Sequence, residues 1–505
     1  MTTRPPLLIA SCAGRSVAAL KPELQRAAQG GADLGEVRLD RLAPQERSRL
    51  ADLFPSPIPL VATLRSQAEG GEGPDSPNDR ALLLHSAARL PFRFIDFERA
   101  RDGGLLATAS SGPAEGASVI VSSHLSGSVT TATIRRLLAL PRPAGAVAKV
   151  VLPCDFERLW SDLLPGLSPL DVYAPYVLHT TGPTGPILRA WAGRLGMFAV
   201  YASLPATSPS GAVESVEPAQ LPVDQLRSYL SGGSEASLFG VVGHPIEHSR
   251  SPAIHSFWME RERRCGLYLA LDMATAQDLA DSMTPLAYGG FRGLNITHPW
   301  KQVALSLASQ AGPAAEAAAC ANTLSFTSGT ISAENTDVAA VRRRLSELKK
   351  EGAWDGSPVV VLGGGGAARS ALVAVSSLGS SGVVIARRRD VAEALAREYG
   401  GRVGIGSSLT PARVVIHATP AGREDCPRLD LPWTDVIDDS TRLLDFVYEP
   451  VHPFLREGVE ARGATYEDGS RLLVYQAAES YATWWGSPPS PALQDAALKE
   501  VLCAG

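Results

Sequence analysis

The sequence has few of the features that mark disulfide-rich or zinc-binding domains. Its 505 residues include only six cysteines, and no two of them form a Cys-x-x-Cys pair. Disulfide frameworks and cysteine zinc sites need cysteines at closer and more regular spacing. The cysteines therefore argue against both and are consistent with a reducing compartment.

Long apolar segments are also missing. After two prolines the amino terminus, MTTRPPLLIASCAG, has a short apolar stretch of five residues. That is too short for the core of a signal peptide, and no run of about 18 apolar residues occurs that could cross a membrane. We therefore expect a cytoplasmic protein.

Positive charge is not in excess. Lys and Arg total 47 against 52 Asp and Glu, which gives a net charge of −5 and argues against nucleic acid or an anionic membrane as partner. With 45% hydrophobic and 20% charged residues the composition is that of a globular protein, and this length predicts two or three domains. The 47 glycines and 38 prolines indicate many turns between short elements, as in α/β folds.

Short apolar runs alternate with helix-like stretches over the first 230 residues. The eight runs are residues 7–11, 34–40, 59–65, 93–98, 118–124, 146–152, 175–181 and 197–203. Eight β/α repeats predict a (βα)₈ TIM barrel, whose active site lies at the carboxyl ends of the strands. Residues 203–237 then shift to Gly, Ser and Glu around one short helix, which indicates a linker with a boundary near 232–237.

The second half again alternates strands and helices. Residues 359–389 contain a strand, a glycine turn, a helix and a second strand, which is a βαβ opening typical of a Rossmann-type domain. We predict three domains: 1–232, 238–340 and 341–469. The C-terminal segment 470–505 is predicted to return to the middle domain.

A lysine and a histidine lie on neighbouring predicted barrel strands. Lys149 in AVAKVVL is flanked by apolar residues, and burial would lower the pKa of its amine and make it a nucleophile. Taken alone, a lysine facing solvent is the commoner outcome, and a lone histidine at a strand end is more often structural. His124 closes the preceding strand, so the two residues together suit a Schiff base and a general base acting on one carbonyl substrate.

Other charged residues alternate along the predicted strands. Glu36, Arg38 and Asp40 in EVRLD share one strand face and would point into the barrel. Further charged positions in TLRSQAEGG and IDFE are Arg65, Glu69, Asp96 and Glu98. A buried ion-pair network is an alternative to catalysis, favoured here for Asp40 and Asp96, whereas Arg65 suits a carboxylate held by two parallel hydrogen bonds.

In this order the motifs resemble type I 3-dehydroquinate dehydratases, over about residues 5–230. EVRLD, TLRSQAEGG, IDFE, the SSH strand end and the lysine of AVAKVVL carry the resemblance. It implies that Lys149 forms an imine with the 3-keto group. It also implies that His124, oriented by Glu69, removes the C2 proton and protonates the departing hydroxyl. The substrate-binding residues that it implies are Glu36, Arg38, Arg65, Arg189 and Gln220, the last on a closing flap.

The first half departs from that family in two places. Val216 and Ala219 stand where the flap usually has serine and glycine, and HLSGSVTTA lacks the Asp-Phe and Thr-Pro that usually follow the histidine. These differences bear on flap closure and turnover rate more than on the type of reaction.

Polar residues in the second half mark strand and helix junctions. Three histidines in GVVGHPIEHSRSPAIHSFW suggest a metal site, but Pro245 and Pro252 break any single helix, so we predict no metal. Ser249 and Ser251 suit either helix caps or substrate ligands. The other junction residues are Asn295, Thr297, Lys301, Asn322, Asn335 and Asp337. Singly they fit turns, a cap and a surface lysine; a lysine and an aspartate brought together in a cleft would form an acid/base pair for carbonyl reduction.

The glycine turn indicates a dinucleotide. VVVLGGGGAARSA places Gly363, Gly365 and Gly366 between a strand and a helix start, where backbone N–H groups and the helix dipole favour a pyrophosphate. The next strand ends IARRRD. Arginine there accommodates a 2′-phosphate, so residues 387–389 favour NADP, while Asp390 leaves mixed use open.

This half resembles shikimate dehydrogenase from about residue 238 to 490, in the blocks GHPIEHSRSPAIH, GLNITHPWK, AANTL, ENTD, LGGGGAA, HATPAG, DFVYEP and QAAESYATWWG. The resemblance implies a two-lobed α/β dehydrogenase with a Rossmann-type NADP-binding domain. Lys301 and Asp337 would be the catalytic pair, and NADPH would reduce the 3-keto group of 3-dehydroshikimate. The implied substrate-binding residues are Ser249, Ser251, Asn295, Thr297, Asn322, Tyr448 and Gln476. The implied cofactor-binding residues are Gly363, Gly365, Gly366, Ala367, Arg387, Arg388, Thr419 and Gly469.

Four positions depart from the second family. His244 and His417 stand where asparagine is usual, Ala386 replaces the asparagine of an Asn-Arg-Thr motif, and Ala333 replaces a glycine. Ala386 and Arg388 alter the predicted adenosine-phosphate pocket, so they bear on cofactor affinity.

Together the resemblances predict a bifunctional enzyme that dehydrates 3-dehydroquinate and reduces the product to shikimate. The expected partners are these small molecules and NADPH, and the oligomeric state stays open. A quinate dehydrogenase variant of the second half is one alternative. A non-catalytic quinate-pathway sensor is another. It would have lost catalytic residues and gained a nucleic-acid-binding segment, whereas Lys149, His124, Lys301 and Asp337 are all present.

Overall fold

Eight parallel strands form the first part of the computed structural model and curve into a nearly closed barrel. The structure describes residues 5–109, 117–167, 175–207, 217–404, 409–423, 426, 428–448 and 453–502. The barrel strands are β1 (Leu7–Cys12), β2 (Leu34–Arg38), β3 (Leu60–Thr63), β4 (Phe94–Glu98), β5 (Ser118–His124), β6 (Val147–Pro153), β7 (Tyr176–Thr181) and β8 (Ala199–Ala202). Each of the eight predicted runs overlaps one of these strands. Their order in the sheet is β7-β6-β5-β4-β3-β2-β1-β8, and the (βα)₈ prediction is confirmed.

The barrel closes between β7 and β8 through isolated hydrogen bonds. The amide of Phe198 donates to the carbonyl of Tyr176 at 2.8 Å. One step further, the amide of Tyr201 donates to Nε2 of His179 at 3.1 Å, so a side chain takes the place of a backbone acceptor.

The helices of this part alternate with the strands. They are α1 (Val17–Gln29), α2 (Pro77–Ala88), α3 (Gly103–Ala109), α4 (Thr131–Ala139), α5 (Phe156–Arg158), α6 (Leu164–Leu167), α7 (Gly185–Ala190) and α8 (Val223–Ser231). Side chains cap three of them at the amino end: Ser16 accepts from the amide of Ala19, Thr130 from that of Thr133, and Asp155 from that of Arg158. Each cap satisfies a backbone donor that the helix itself leaves unpaired.

Side chains inside the barrel change character along its axis. An apolar layer includes Ile9, Leu34, Val61, Val147 and Val177, all buried. Because side chains alternate across a strand, the next inward positions lie two residues further along. Those positions are polar or charged (Ser11, Glu36, Thr63, Lys149 and His179), and they form part of the first candidate site.

Two further sheets follow. The second has the order β10-β9-β11-β13-β14-β12, and the third, which is parallel throughout, has the order β17-β16-β15-β18-β19-β20. The strands of the second sheet are β9 (Ser237–Gly243), β10 (Gly266–Asp272), β11 (Phe291–Ile296), β12 (Gln310–Ala311), β13 (Thr323–Thr327) and β14 (Thr330–Glu334). Those of the third are β15 (Val359–Leu362), β16 (Gly382–Ile385), β17 (Arg402–Val403), β18 (Val414–His417), β19 (Arg442–Asp445) and β20 (Thr465–Glu467).

Long helices connect and cover these sheets. The helices are α9 (Ser251–Arg261), α10 (Ala276–Tyr288), α11 (Lys301–Leu307), α12 (Pro313–Ala318), α13 (Thr336–Lys350), α14 (Gly366–Ser377), α15 (Arg389–Glu398), α16 (Phe454–Glu460), α17 (Ser470–Trp485) and α18 (Pro491–Ala497). Helix α17 follows the third sheet but packs on the second, where the indole of Trp484 donates to the carbonyl of Leu324 at 3.1 Å.

The described residues group into two compact units. One runs to Ser237 and also holds residues 264–273 and 281–285; the other holds the rest. The finer boundaries 1–232, 238–340 and 341–469 stay predictions. Val216, at the predicted flap, and residues 503–505, at the end of the segment predicted to return to the middle domain, lie outside the described residues. Among the helices that the structure describes, none is long and apolar enough to cross a bilayer.

Candidate active sites

Lys149 is the centre of the barrel site. It points inward from β6 and is 2% exposed, so the solvent-facing alternative is wrong. Its Nζ lies 3.0 Å from Oδ2 of Asp96, 4.0 Å from Oε1 of Glu36 and 3.9 Å from the ring centroid of Tyr201. Two carboxylates and an aromatic face therefore fix the position of the amine.

Glu36 is held by hydroxyl donors as well as by charge. Ser11 donates to Oε2 at 2.6 Å and Thr63 donates to Oε1 at 2.8 Å. Burial alone would raise the pKa of Glu36, but Lys149 and Arg38 outweigh it and lower the pKa overall. The carboxylate is therefore ionised at neutral pH.

His124 ends β5 and pairs with Glu69. Its Nδ1 lies 2.7 Å from Oε2 of Glu69, and its backbone amide donates to the same oxygen at 3.0 Å. Burial and the charges of Arg65 and Lys149 lower the pKa of His124 well below its ordinary value, so the imidazole is neutral. Burial and the neighbouring Glu98 raise the pKa of Glu69 to about 7. This pair has the arrangement of a general base and its orienting carboxylate.

The predicted substrate-binding arginines differ in how they are held. Arg65 lies against Nε2 of His124, and its buried Nε has no hydrogen-bond partner among the residues that the structure describes. Arg38 makes two hydrogen bonds to Asp40, at 2.9 and 2.7 Å, which agrees with the ion-pair interpretation of Asp40. Of the two, Arg65 is the one with a free donor for a substrate carboxylate or hydroxyl.

The last two predicted residues of this site come from the end of the barrel sequence. Arg189 on α7 is buried and donates to the carbonyls of Tyr201, Thr180 and Gly185, and burial lowers its pKa to about 10. Gln220 donates to Oγ of Ser11 at 3.0 Å, which joins it to Glu36.

Acidic groups and a histidine come close enough here to hold a metal ion. The ligand atoms of Glu69, Glu98 and His124 lie within 4.8 Å of one another. In the structure guanidinium groups approach these residues: Arg80 lies 3.2 Å from Glu98, and Arg65 contacts His124. The prediction that no metal is used stays a prediction.

Three barrel residues were not singled out from the sequence. Ser11 and Thr63 hold Glu36, and Tyr201 covers Lys149. In the sequence they are marked only by their inward positions along alternating strands, and apolar residues occupy the same kind of position. Their proximity to Lys149 depends on the register between neighbouring strands.

The second site is a cavity of about 840 Å³ between the second and third sheets. Among its lining residues are the predicted substrate-binding residues Ser249, Ser251, Asn295, Thr297, Asn322, Tyr448 and Gln476. The predicted cofactor residues that also line it are Gly363, Gly365, Gly366, Ala367, Arg387, Thr419 and Gly469. Lys301 and Asp337 lie in the same wall, so the cavity gathers the predicted set apart from Arg388.

Lys301 and Asp337 form an ion pair at the start of two helices. Lys301 Nζ lies 2.6 Å from Oδ2 of Asp337, and Nδ2 of Asn322 donates to Oδ1 of the same carboxylate at 2.9 Å. Asp337 lies in the first turn of α13, where the helix dipole favours a negative charge. Because Lys301 is partly exposed to the cavity, it can pass a proton to a ligand there.

Neutral amides connect this pair to the rest of the pocket. Asn322 also donates to Oε1 of Gln476 at 3.3 Å, and Asn295 donates to Oγ of Ser480 at 2.8 Å. Asn335 instead caps α13 by accepting from the amide of Val338, which agrees with the cap interpretation.

The glycine turn has the shape that a pyrophosphate needs. Gly363 has φ +134°, and a Cβ there would lie 2.6 Å from the carbonyl oxygen of Ala418. At Gly365, which precedes α14, a Cβ would meet no atom within 4 Å, so the backbone is open to the cavity. A dinucleotide therefore fits the turn, with the N–H groups at the start of α14 directed at its phosphates.

The arginines after β16 point to different places. Arg387 lines the cavity. Arg388 is exposed and lies 3.7 Å from Asp390, and Arg389 pairs with Glu393 at 2.8 Å. Arg387 is therefore the candidate for a 2′-phosphate.

A buried polar chain ends at the cavity wall. His417 and Asp445, both fully buried, pair at 2.7 Å, and Nε2 of His417 lies 2.6 Å from Oγ1 of Thr419. The sequence marked His417 only as a departure from its family. Its pairing with a residue 28 positions away depends on the adjacency of β18 and β19.

Comparisons with known proteins match each half separately. The family described as type I 3-dehydroquinase matches residues 8–233, and the shikimate dehydrogenase substrate binding domain matches residues 241–324. A shikimate dehydrogenase (NADP(+)) of Azorhizobium caulinodans is 36% identical over 274 residues, which are 52% of this chain and 95% of the relative. The same enzyme of Dinoroseobacter shibae is 38% identical over 275 residues, 52% of this chain and 97% of the relative.

A solved structure also extends over both halves. It is described as dehydroquinate dehydratase and shikimate dehydrogenase from S. pombe, and it covers 98% of each chain with 22% identity and a TM-score of 0.42. The family assignment depends on the sequence matches. By those matches the chain belongs to the type I 3-dehydroquinase family in its first half and to the shikimate dehydrogenase family in its second.

Proposed function

We propose that this chain catalyses two consecutive steps, the dehydration of 3-dehydroquinate to 3-dehydroshikimate and the NADPH-dependent reduction of that product to shikimate. The supporting observation is that each half gathers its own proton-transfer pair beside a binding site. His124 and Glu69 lie near Lys149 in the barrel, and Lys301 and Asp337 lie in the cavity with the glycine turn.

In the barrel the reaction follows from the neutral base and the buried amine. Lys149 as the free amine attacks the 3-keto carbon, and loss of water gives an imine, a cation when protonated. His124, neutral and oriented by Glu69, removes the C2 proton and returns it to the departing hydroxyl as water. Hydrolysis of the imine then releases the enone product and restores Lys149.

The charged groups of the barrel have separate tasks in this proposal. Glu36 and Asp96 balance the positive charge on Lys149 before and after imine formation. The carboxylate and hydroxyl groups of the substrate are bound by Arg65, Arg38, Arg189 and Gln220.

In the cavity Lys301 supplies the proton that the substrate oxygen takes up, and Asp337 holds the ammonium in place. The hydroxyl and carboxylate groups of the substrate are bound by polar side chains of the cavity wall: Asn322, Asn295, Gln476, Ser249 and Ser251. NADPH, held by the glycine turn and Arg387, supplies the hydride when bound. Nicotinamide cofactors occur with a 2′-phosphate (NADP) or without it (NAD), and Arg387 in the cavity wall favours NADP.

A coupled assay tests both steps. With 3-dehydroquinate and NADPH the purified chain is expected to form shikimate and to oxidise one NADPH for each molecule formed. Accumulation of 3-dehydroshikimate without NADPH oxidation would remove the second activity, and no enone at all would remove the first. Parallel assays with NADH and with quinate plus NADP⁺ establish the cofactor and separate the quinate dehydrogenase alternative.

A further inference from the structure

The polar chain behind the cavity has a defined direction. Asp445 accepts from Nδ1 of His417 at 2.7 Å, from the amide of Val447 at 2.8 Å and from the hydroxyl of Tyr466 at 2.9 Å. A carboxylate is an acceptor only, so three donors on one buried group are the expected arrangement. Nδ1 of His417 therefore carries a proton.

This contact defines the role of Thr419. An imidazole that carries its one proton on Nδ1 has an acceptor at Nε2, and in that tautomer the hydroxyl of Thr419, 2.6 Å away, donates to it. The same oxygen accepts from the amide of Ala421 at 3.2 Å. One lone pair remains on Oγ1, and Thr419 lines the cavity.

The remaining lone pair selects its partner by chemistry. A phosphate oxygen is itself an acceptor and would be repelled, whereas a ribose hydroxyl or a carboxamide N–H is a donor and would be bound. Thr419 lies beside the glycine turn, since a Cβ at Gly363 would come within 3.3 Å of its Cγ2.

We propose that His417 is a positioning residue for the cofactor: through Asp445 it holds Thr419 as a fixed acceptor for a hydroxyl or carboxamide donor of NADPH. This rests on the proposed reductase function. His417 does not touch the cavity itself, and its effect reaches the ligand through one hydroxyl group.

The test is a double-mutant cycle on NADPH binding, measured by fluorescence titration without substrate. His417→Asn keeps an N–H donor for Asp445 and removes the Nε2 acceptor of Thr419, and Thr419→Val removes the hydroxyl. Each variant is expected to raise the Kd of NADPH about fivefold, the effect of one neutral hydrogen bond. Because both remove the same interaction, the double variant should also show about fivefold rather than the roughly 25-fold expected of independent sites.

Two controls separate positioning from general damage. Thr419→Ser keeps the hydroxyl and should restore the wild-type Kd. Thr441→Val removes a buried hydroxyl of the same domain that bonds to Asp438 and lies outside the cavity lining, and it should leave the Kd unchanged. Thermal unfolding of every variant reports on the stability of the fold.

Several outcomes would overturn the proposal. One is a His417→Asn effect that multiplies with that of Thr419→Val. Another is a Thr419→Val variant that binds NADPH normally. The wild-type chain is assayed in parallel for oxidation of shikimate with NADP⁺. If that reaction is absent while NADPH still binds and the cycle is non-additive, the reductase assignment fails and the role of His417 stands.

Discussion

The barrel site and the cavity site solve different problems with different side chains. In the barrel, the buried Nζ of Lys149 lies 3.0 Å from the carboxylate of Asp96 and 4.0 Å from that of Glu36. Nearby, the pKa of Glu69 is raised and that of His124 is lowered. In the cavity the ion pair Lys301–Asp337 is partly exposed, and the neutral amide of Asn322 connects it to Gln476. Burying charged groups this close together costs desolvation free energy, and such a cluster suits a site that forms a covalent bond and transfers protons.

The difference indicates where each site is sensitive. The barrel depends on charge balance, so removing one member leaves the others unpaired. The cavity depends on hydrogen-bond geometry set by strand ends and helix starts, so single substitutions there should weaken binding in small steps. The following variants examine this contrast, from the largest expected effect to the smallest.

Lys149→Ala should abolish dehydration, with a loss of at least about 10³-fold in kcat, because Lys21, the other lysine among the described residues of the barrel, is exposed. The measurement is 3-dehydroshikimate formation, together with borohydride trapping of 3-dehydroquinate and mass spectrometry of the Lys149 peptide. Reduction of added 3-dehydroshikimate by the same preparation should continue. An unmodified wild-type peptide after trapping would remove the imine mechanism.

Asp337→Asn should lower the reductase kcat about 10²-fold, since the amide no longer fixes the ammonium of Lys301 at 2.6 Å. The asparagine keeps the volume of the side chain, and its amide oxygen can still accept the hydrogen bond from Asn322. NADPH oxidation with 3-dehydroshikimate is measured beside dehydration, which serves as the internal control. Equal loss of both activities would contradict the view that the two sites work separately.

The sequence predicts those parts of the two sites that follow from neighbouring residues, and it does not predict contacts between residues far apart in the chain. The strands that carry Lys149 and His124, and the helix starts that carry Lys301 and Asp337, follow from local patterns. Tyr201 over Lys149 depends on the closing of the barrel, and His417 on Asp445 depends on strand order. Both are long-range consequences of topology, which local periodicity does not encode.

The pH dependence of dehydration should expose the raised pKa of Glu69. Below about pH 7 this carboxyl gains a proton and loses its negative charge, so it accepts less strongly from Nδ1 of His124 and orients the imidazole less well as a base. The rate should therefore rise with pH through about 7. Glu69→Gln should lower kcat several tens of fold, a part of what general-base catalysis supplies, and flatten the profile there. A profile of the variant with the same inflection would assign it to another group.

Arg387→Ala and Arg388→Ala offer the finest distinction, because two adjacent arginines differ only in direction. Both are exposed, but Arg387 lines the cavity, whereas Arg388 lies outside the cavity lining and 3.7 Å from Asp390. If Arg387 holds the 2′-phosphate, its removal should raise the KM for NADPH about five- to tenfold, the effect of one charge-assisted hydrogen bond, and leave the KM for NADH unchanged. Arg388→Ala carries the same change of net charge and should alter either KM less than about twofold, as expected for an exposed charge. Steady-state kinetics with both cofactors decides between them: equal effects of the two variants would mean that general positive charge, and not the position of Arg387 in the cavity wall, selects the phosphorylated cofactor.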